Sequence, residues 1–190
     1  MDNDRGHDAA PDPPRALLDA CVLYPDILRR LLLGAADAGL FVPVWSERVL
    51  DEWSRAAARA GSDAAAEILA LRQRWPAAAA PRDRSLEARL TLPDPGDVHV
   101  LAAAIAGRAD VLVTRNLRDF PARVLARDGV RAVHPDGFLV GLWQRAPETV
   151  AAVARAVHDA ARRAGSPLAP RTLWRRAGLP RLAKALCAGA

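Results

Sequence analysis

Apolar runs and segments of helical periodicity alternate along the chain. Short apolar runs predict buried strands at residues 15–23, 41–44, 111–114 and 130–134. Apolar positions recur at helical spacing elsewhere, and they predict helices at residues 26–38, 46–60, 63–74, 98–106, 147–164, 171–177 and 180–187. Strands that alternate with helices are typical of a parallel sheet covered on both faces. The predicted fold is therefore an α/β/α three-layer sandwich with a parallel sheet of four or five strands, followed by C-terminal helices.

Composition divides the chain into three parts. Residues 1–14 are rich in aspartate and proline, which predicts a disordered tail and is the reverse of a secretory signal sequence. Residues 15–146 form the predicted α/β domain, and a shift in composition near Pro147 marks the start of a basic helical extension over residues 147–190. No apolar run reaches the ~20 residues that span a bilayer, so we expect a soluble cytoplasmic protein without a membrane partner.

Two classes of site are disfavoured by residue spacing. Cys21 and Cys187 form no metal-binding spacing, so a zinc site or a disulfide framework has little support and both thiols are expected to be reduced. The four histidines share no ligand spacing either, and surface or core roles are expected for them.

The positive charge of the chain lies mainly in the extension. Residues 147–190 carry eight basic and two acidic groups, a net charge of +6, which leaves −1 for the remainder of a chain whose total is +5. Such a segment suits a polyanionic substrate, and Arg171, Arg175 and Arg176 are the predicted substrate-binding residues within it. A solvated helical face with an arginine excess due to coding bias explains the same charge equally well.

Asp19 is the strongest candidate for chemistry. It interrupts an apolar run, where an ionised carboxylate costs several kcal/mol unless a positive group compensates it. Ligands gather at the carboxyl ends of parallel strands, where this residue is expected to lie. An aspartate that only turns the chain toward the next helix is the alternative.

Glu52 is preferred to its neighbour Asp51. At about 100° per residue, the core face of the 46–60 helix centres between Val49 and Trp53. Asp51 then points into solvent, whereas Glu52 lies on the flank and can lean into a cleft beside the sheet. A surface glutamate remains an equal alternative.

Two further pairs of polar residues, one pair acidic and one an asparagine with an aspartate, suit helix starts or turns. Asp94 and Asp97 suit a helix start with Pro95 at its first position, which explains Asp94 fully, while Asp97 can be a cap, a metal ligand or both. Asp119 can cap a helix and Asn116 can form a turn after the third strand. Packing several acids together costs repulsion that bound cations relieve, so the set predicts a Mg²⁺ or Mn²⁺ site.

Four segments together resemble a PIN domain of the VapC toxin type. They are Leu17-Leu18-Asp19, Leu50-Asp51-Glu52-Trp53, Asp94-Pro95-Gly96-Asp97 with the helix after it, and Thr114-Arg115-Asn116-Leu117-Arg118-Asp119-Phe120-Pro121. The resemblance implies a Mg²⁺- or Mn²⁺-dependent endoribonuclease, the toxin of a toxin–antitoxin pair. Its implied catalytic residues are Asp19, Glu52, Asp97 and Asp119, with Asp19, Asp97 and Asp119 as metal ligands and Asn116 and Arg115 on the substrate. The implied partners are an RNA substrate, a cognate antitoxin protein and a second copy of the chain.

The chain departs from that family pattern at two positions. Cys21 stands where the family commonly has asparagine, which would remove a hydrogen bond that supports the ligands. Asn116 occupies a position that is often acidic, so either Asn116 or Asp119 is the fourth ligand. These departures leave two alternatives open, which are a non-catalytic RNA- or partner-binding module on the same fold and a structure-specific DNA nuclease.

Overall fold

The computed structural model describes residues 12–188, and the predicted disordered tail lies almost entirely outside that range. The strands are β1 (Arg15–Leu18), β2 (Val42–Val44), β3 (Val111–Val113) and β4 (Arg131–Val133). The helices are α1 (Ala20–Leu23), α2 (Asp26–Asp37), α3 (Glu47–Arg59), α4 (Ala65–Arg74), α5 (Arg84–Arg89), α6 (Val98–Ala106), α7 (Ala122–Leu125), α8 (Pro135–Arg145), α9 (Pro147–Arg163), α10 (Pro170–Arg176) and α11 (Pro180–Ala188). Short 3₁₀ turns occupy Pro95–Asp97, Leu117–Asp119 and Ala126–Asp128.

The four strands form one parallel sheet in the order β2-β1-β3-β4. Leu17 of β1 is in register with Val44 on one side and with Leu112 on the other. The chain leaves β1 toward β2 and later returns to the opposite side at β3, so β1 and β3 flank the point where the strand order reverses. Ligands of open parallel sheets collect at the carboxyl side of such a point.

Helices cover both faces of the sheet, which confirms the predicted three-layer sandwich. Helix α6 packs on β1 and β3, whereas α2 packs against β2 and against α9, which in turn contacts α8. The two central strands, β1 and β3, are almost wholly buried, since Leu17, Leu18 and Val113 have no exposed surface. Burial of each such side chain contributes about 1.5–3 kcal/mol, which fixes the strand ends that carry the polar residues.

One local prediction was wrong, and one helix was not predicted. The predicted strand at residues 15–23 ends at Leu18, and residues 20–23 form α1, because the carbonyl of Asp19 accepts hydrogen bonds from the amides of Val22 and Leu23. A short run buried on all sides has no periodicity that separates strand from helix. Helix α8 was not predicted, because Pro135, Gly137 and Gly141 interrupt its pattern and glycine disfavours helix.

The C-terminal helices belong to the same hydrophobic core as the sheet. Val150, Leu173, Trp174 and Leu182 are buried in that core. Asp136 of α8 is also buried, and its carboxylate accepts hydrogen bonds of 2.9 Å from the amides of Arg181 and Leu182. The first turn of α11 is thereby fastened to α8. Among the helices of residues 12–188, none combines the length and hydropathy needed to cross a membrane.

Candidate active site

Asp19 lies directly beyond the carboxyl end of β1, where its amide bonds to the carbonyl of Val113. It is 9% exposed, and its Oδ2 accepts hydrogen bonds from the Thr114 hydroxyl at 2.7 Å and the Cys21 thiol at 3.0 Å. Thr114 is fully buried, and its hydroxyl oxygen also accepts a hydrogen bond from the backbone amide of Asn116 at 3.1 Å. One carboxylate oxygen of Asp19 is therefore fixed by two neutral donors.

Asp97 and Asp119 converge on Asn116. The Asn116 side-chain amide donates to Asp97 Oδ2 at 3.3 Å and also to Asp119 Oδ2. One carboxylate oxygen each from Asp94, Asp97 and Asp119 lies within 4.8 Å of the others. These residues come from two connections, one preceding α6 and one following β3, so the fold itself brings them together.

Of the three aspartates that stand at helix starts, only Asp94 accepts a capping hydrogen bond. Asp94 Oδ1 accepts a hydrogen bond of 2.7 Å from the Gly96 amide, which is the predicted cap. Asp97 precedes α6 and Asp19 precedes α1, yet neither side chain accepts a capping hydrogen bond. The carboxylates of Asp19 and Asp97 are therefore not explained by helix capping, although their positions in the sequence suit it.

The electrostatics of the cluster favour a bound cation. Burial, followed by the charges of Asp19, Asp94 and Asp119, raises the pKa of Asp97 to about 6. The donor set consists of carboxylates together with an asparagine side chain, which are the hard oxygen ligands preferred by Mg²⁺ and Mn²⁺. The residues present thus fit a divalent ion of this class.

Glu52 lies apart from that oxygen cluster and contacts His99 instead. His99 Nε2 is 2.9 Å from Glu52 Oε1, and the imidazole is only 5% exposed. Burial opposes ionisation of Glu52, but the hydrogen bond from His99, together with Arg48 and Arg55, outweighs it and lowers the pKa of Glu52. Glu52 is consequently held as a carboxylate, and His99 connects it to α6, whose first turn follows Asp97.

Cys21 preserves a hydrogen bond that the departure from asparagine was expected to remove. Its Sγ contacts Asp19 and also accepts a bond from the Arg115 amide at 3.2 Å. Burial, and then the charge of Asp19, raises the pKa of the Cys21 thiol to about 12. The side chain is thus a neutral thiol that supports Asp19.

The predicted substrate arginines are exposed. Arg171, Arg175 and Arg176 lie on α10, and Arg115 follows β3 immediately before Asn116. A Cβ at Gly178 would lie 2.7 Å from Nη2 of Arg115, and Gly178 has a left-handed φ of 82°. The connection between α10 and α11 therefore packs directly on the loop that carries Asn116.

Three residues of this site are not among the predicted site residues. Thr114 is predicted as the end of a strand, Asp94 as a helix cap, and His99 as a surface or core residue. His99 is buried as a core residue would be, but its bond to Glu52 depends on helices α3 and α6 meeting, which no local spacing encodes. The position of Thr114 directly after an apolar strand was the one available signal.

Comparisons with known proteins give a family match whose residues include most of this site. Residues 15–118 match the family described as PIN domain, and this span contains Asp19, Glu52, Asp97 and Asn116. The chain is also 44% identical over 64 residues to "Putative ribonuclease VapC50" of Mycobacterium tuberculosis (strain ATCC 25618 / H37Rv). That match covers 34% of this chain and 38% of the relative, well under two thirds of the relative's length. No solved structure matches the chain significantly.

Proposed function

The chain belongs to the PIN-domain family, and from that premise we propose that it is a divalent-metal-dependent endoribonuclease, the toxin of a toxin–antitoxin pair. One observation carries the proposal. Asp19 and Asp97 stand at helix starts without capping them, and the oxygens of Asp97 and Asp119 instead share one amide donor, Asn116. Repulsion among these acids would be relieved by a cation.

Asp19, Asp97 and Asp119 would hold Mg²⁺ or Mn²⁺. When bound, such an ion supplies Lewis acidity toward a phosphate oxygen and lowers the pKa of a coordinated water. Thr114 and Cys21 fix the orientation of Asp19, and Asn116 sets the spacing of Asp97 and Asp119. Glu52 is ionised near neutral pH and can complete the ligand set or accept a proton from the attacking water.

Substrate and partner follow from the relative and from charge. The relative's name describes a ribonuclease, which favours RNA as the substrate. Arg115 beside the cluster, with Arg171, Arg175 and Arg176 on α10, would neutralise RNA phosphates. We further propose a cognate antitoxin, a homodimer, a cytoplasmic location, and a division into a nuclease domain (15–146) and a basic extension (147–190).

The decisive experiment compares RNA with DNA of the same sequence. Purified protein stripped with EDTA is expected to cleave single-stranded RNA when Mn²⁺ or Mg²⁺ is restored, and Asp19→Asn is expected to be inactive although folded. Millimolar Mn²⁺ should also raise the melting temperature of the wild type more than that of Asp19→Asn. Cleavage of DNA alone would favour a DNA nuclease, and RNA binding without cleavage would favour a non-catalytic module.

A further inference from the structure

A groove of about 640 Å³ runs along edge strand β4 between the sheet and helix α8. Its apolar lining residues include Val111, Val133, Phe138 and Leu117, of which Val111 and Phe138 are buried and Leu117 is the most exposed. Leu117 is 41% exposed and directly follows Asn116, the residue that bridges Asp97 and Asp119. The loop that carries Asn116 therefore also contributes a lining residue to the groove.

Three arginines line this groove, and they are Arg131 of β4, Arg145 of α8 and Arg181 of α11. All three are exposed, and no described carboxylate lies within ion-pair distance of any of them. The nearby Asp136 is buried, and its two oxygens accept hydrogen bonds from the amides of α11 and form no ion pair with these arginines. The groove thus has positive walls without acidic lining residues.

Two glycines keep the helical wall of the groove bare. Gly137 and Gly141 are four residues apart on α8 and both line the groove. A Cβ at Gly141 would meet nothing within 4 Å, and one at Gly137 would meet only Arg181 Nη1 at 3.5 Å. Packing therefore does not require glycine at position 141, although glycine weakens a helix. The bare positions leave space for an occupant.

We propose that this groove binds the single-stranded RNA that flanks the scissile phosphate. Guanidinium groups suit phosphates and stack on bases, while apolar surface accommodates base faces, and a single strand presents both. Leu117 lines the groove and is the chain neighbour of Asn116, so a strand held there would lie beside the loop that carries Asn116 and Asp119. The identity of the strand as substrate rests on the proposed function, whereas the binding surface is independent of it.

Substitution of Gly141 tests the groove without disturbing the core. Gly141→Glu and Gly141→Gln add equal bulk, but only the glutamate adds negative charge, and Gly141→Ala serves as the folding control. Binding of a labelled single-stranded RNA is measured in EDTA, where cleavage is absent. We expect Gly141→Glu to bind about tenfold more weakly than Gly141→Gln, because a like charge faces the phosphates. Equal affinities of the Glu and Gln variants would overturn the proposal.

The salt dependence of binding gives a second test. Replacing Arg131, Arg145 and Arg181 together with glutamine should flatten the slope of log affinity against log salt by about 2, since each phosphate contact on a single strand contributes ~0.7. The matched control replaces Arg155, Arg162 and Arg163 of α9, which carry the same charge and do not line the groove. An equal effect of the control variant would show a general charge effect and would overturn the proposal that the groove binds RNA.

The outcomes separate this inference from the proposed function. Wild-type protein that binds RNA through the groove but does not cleave it with Mn²⁺ would contradict the nuclease and leave the groove standing. Cleavage with RNA binding unchanged in the Arg131/Arg145/Arg181 variant would contradict the groove alone. Loss of binding to an acidic peptide, with RNA binding unchanged, would assign the groove to a protein partner and overturn RNA as its occupant.

Discussion

The carboxylate of Asp97 is surrounded by the charges of Asp19, Asp94 and Asp119, and burial adds to their effect. Its pKa is raised to about 6 from an ordinary 3.8, so the folded state binds the proton more tightly than the unfolded state does. Stability from this group is present below the ordinary pKa and is lost as the pH rises through about 6. Ionised Asp97 therefore destabilises the metal-free protein at neutral pH.

Asp97→Asn should consequently raise the melting temperature of the protein in EDTA at about pH 7, and the gain should shrink as the pH falls from about 6 toward 4. The same variant should lose RNA cleavage. Thermal unfolding across this pH range provides the measurement, with exposed Asp51→Asn as the control. A melting temperature that is unchanged or lowered at neutral pH would show that Asp97 is stabilised by contacts other than those described.

His99 is expected to act through Glu52. Its Nε2 bonds to Glu52, while its buried Nδ1 has no hydrogen-bond partner among the described residues. Glutamine can place an amide nitrogen near the Nε2 position, whereas asparagine is too short and places it near Nδ1.

We therefore expect His99→Gln to keep most of the cleavage rate and His99→Asn to lose about 10- to 100-fold, the usual cost of removing a supporting contact at a metal site. Cleavage rates at saturating RNA, measured beside the thermal stability of each variant, make the comparison. If both variants lose activity in proportion to their loss of stability, the histidine is structural and does not position Glu52.

At the scale of the element, α11 depends on one buried acid of α8. Asp136 accepts two amide hydrogen bonds at the first turn of α11. Without it, these two donors, of which that of Leu182 is buried, would have no partner. Asp136→Ala should lower the free energy of unfolding by about 2 kcal/mol, and Asp136→Asn by less because one acceptor oxygen remains. Urea unfolding of both variants checks the order, and an alanine variant as stable as the wild type would contradict this anchoring role.

Elements were predictable where their pattern is strong. The start of β1 and, to within one residue, the whole of β3 were placed correctly because short apolar runs must be buried, and the parallel arrangement followed from alternation with helices. The end of β1 was not predictable, since the turn of α1 depends on hydrogen bonds to the Asp19 carbonyl. Helix α8 was not predicted because Gly137 and Gly141 interrupt its apolar pattern and glycine disfavours helix.

The sequence indicates which aspartates and glutamates are candidate ligands, but it does not indicate which of them cap helices and which contact other groups. Asp94 and Asp97 both suit a helix start, and only the geometry shows that Asp94 caps while Asp97 turns toward Asn116. Contacts between distant elements, such as that of Glu52 with His99, arise only from the tertiary packing of α3 and α6. Local spacing therefore suggested the acids as candidates, and the groups that contact them became visible only in the structure.

At the scale of the whole molecule, the C-terminal extension packs on the loop that carries Asn116. Buried Leu173 and Trp174 fix α10 on the body, and Gly178 after it packs on Arg115 beside Asn116. The outer face of α10 presents Arg171, Arg175 and Arg176 to solvent. Under the proposed function, α10 would therefore hold RNA phosphates while the carboxylates hold the metal ion.

Replacing Arg171, Arg175 and Arg176 with glutamine should weaken RNA binding and flatten its salt dependence by up to about 2, because fewer counterions are released. Cleavage of saturating RNA should change little, since none of these arginines belongs to the acidic cluster. The control replaces three exposed arginines of the body, Arg59, Arg84 and Arg127, with glutamine. Unchanged affinity and salt slope in the α10 variant would contradict an RNA-binding role, and loss of antitoxin binding alone would assign α10 to partner recognition.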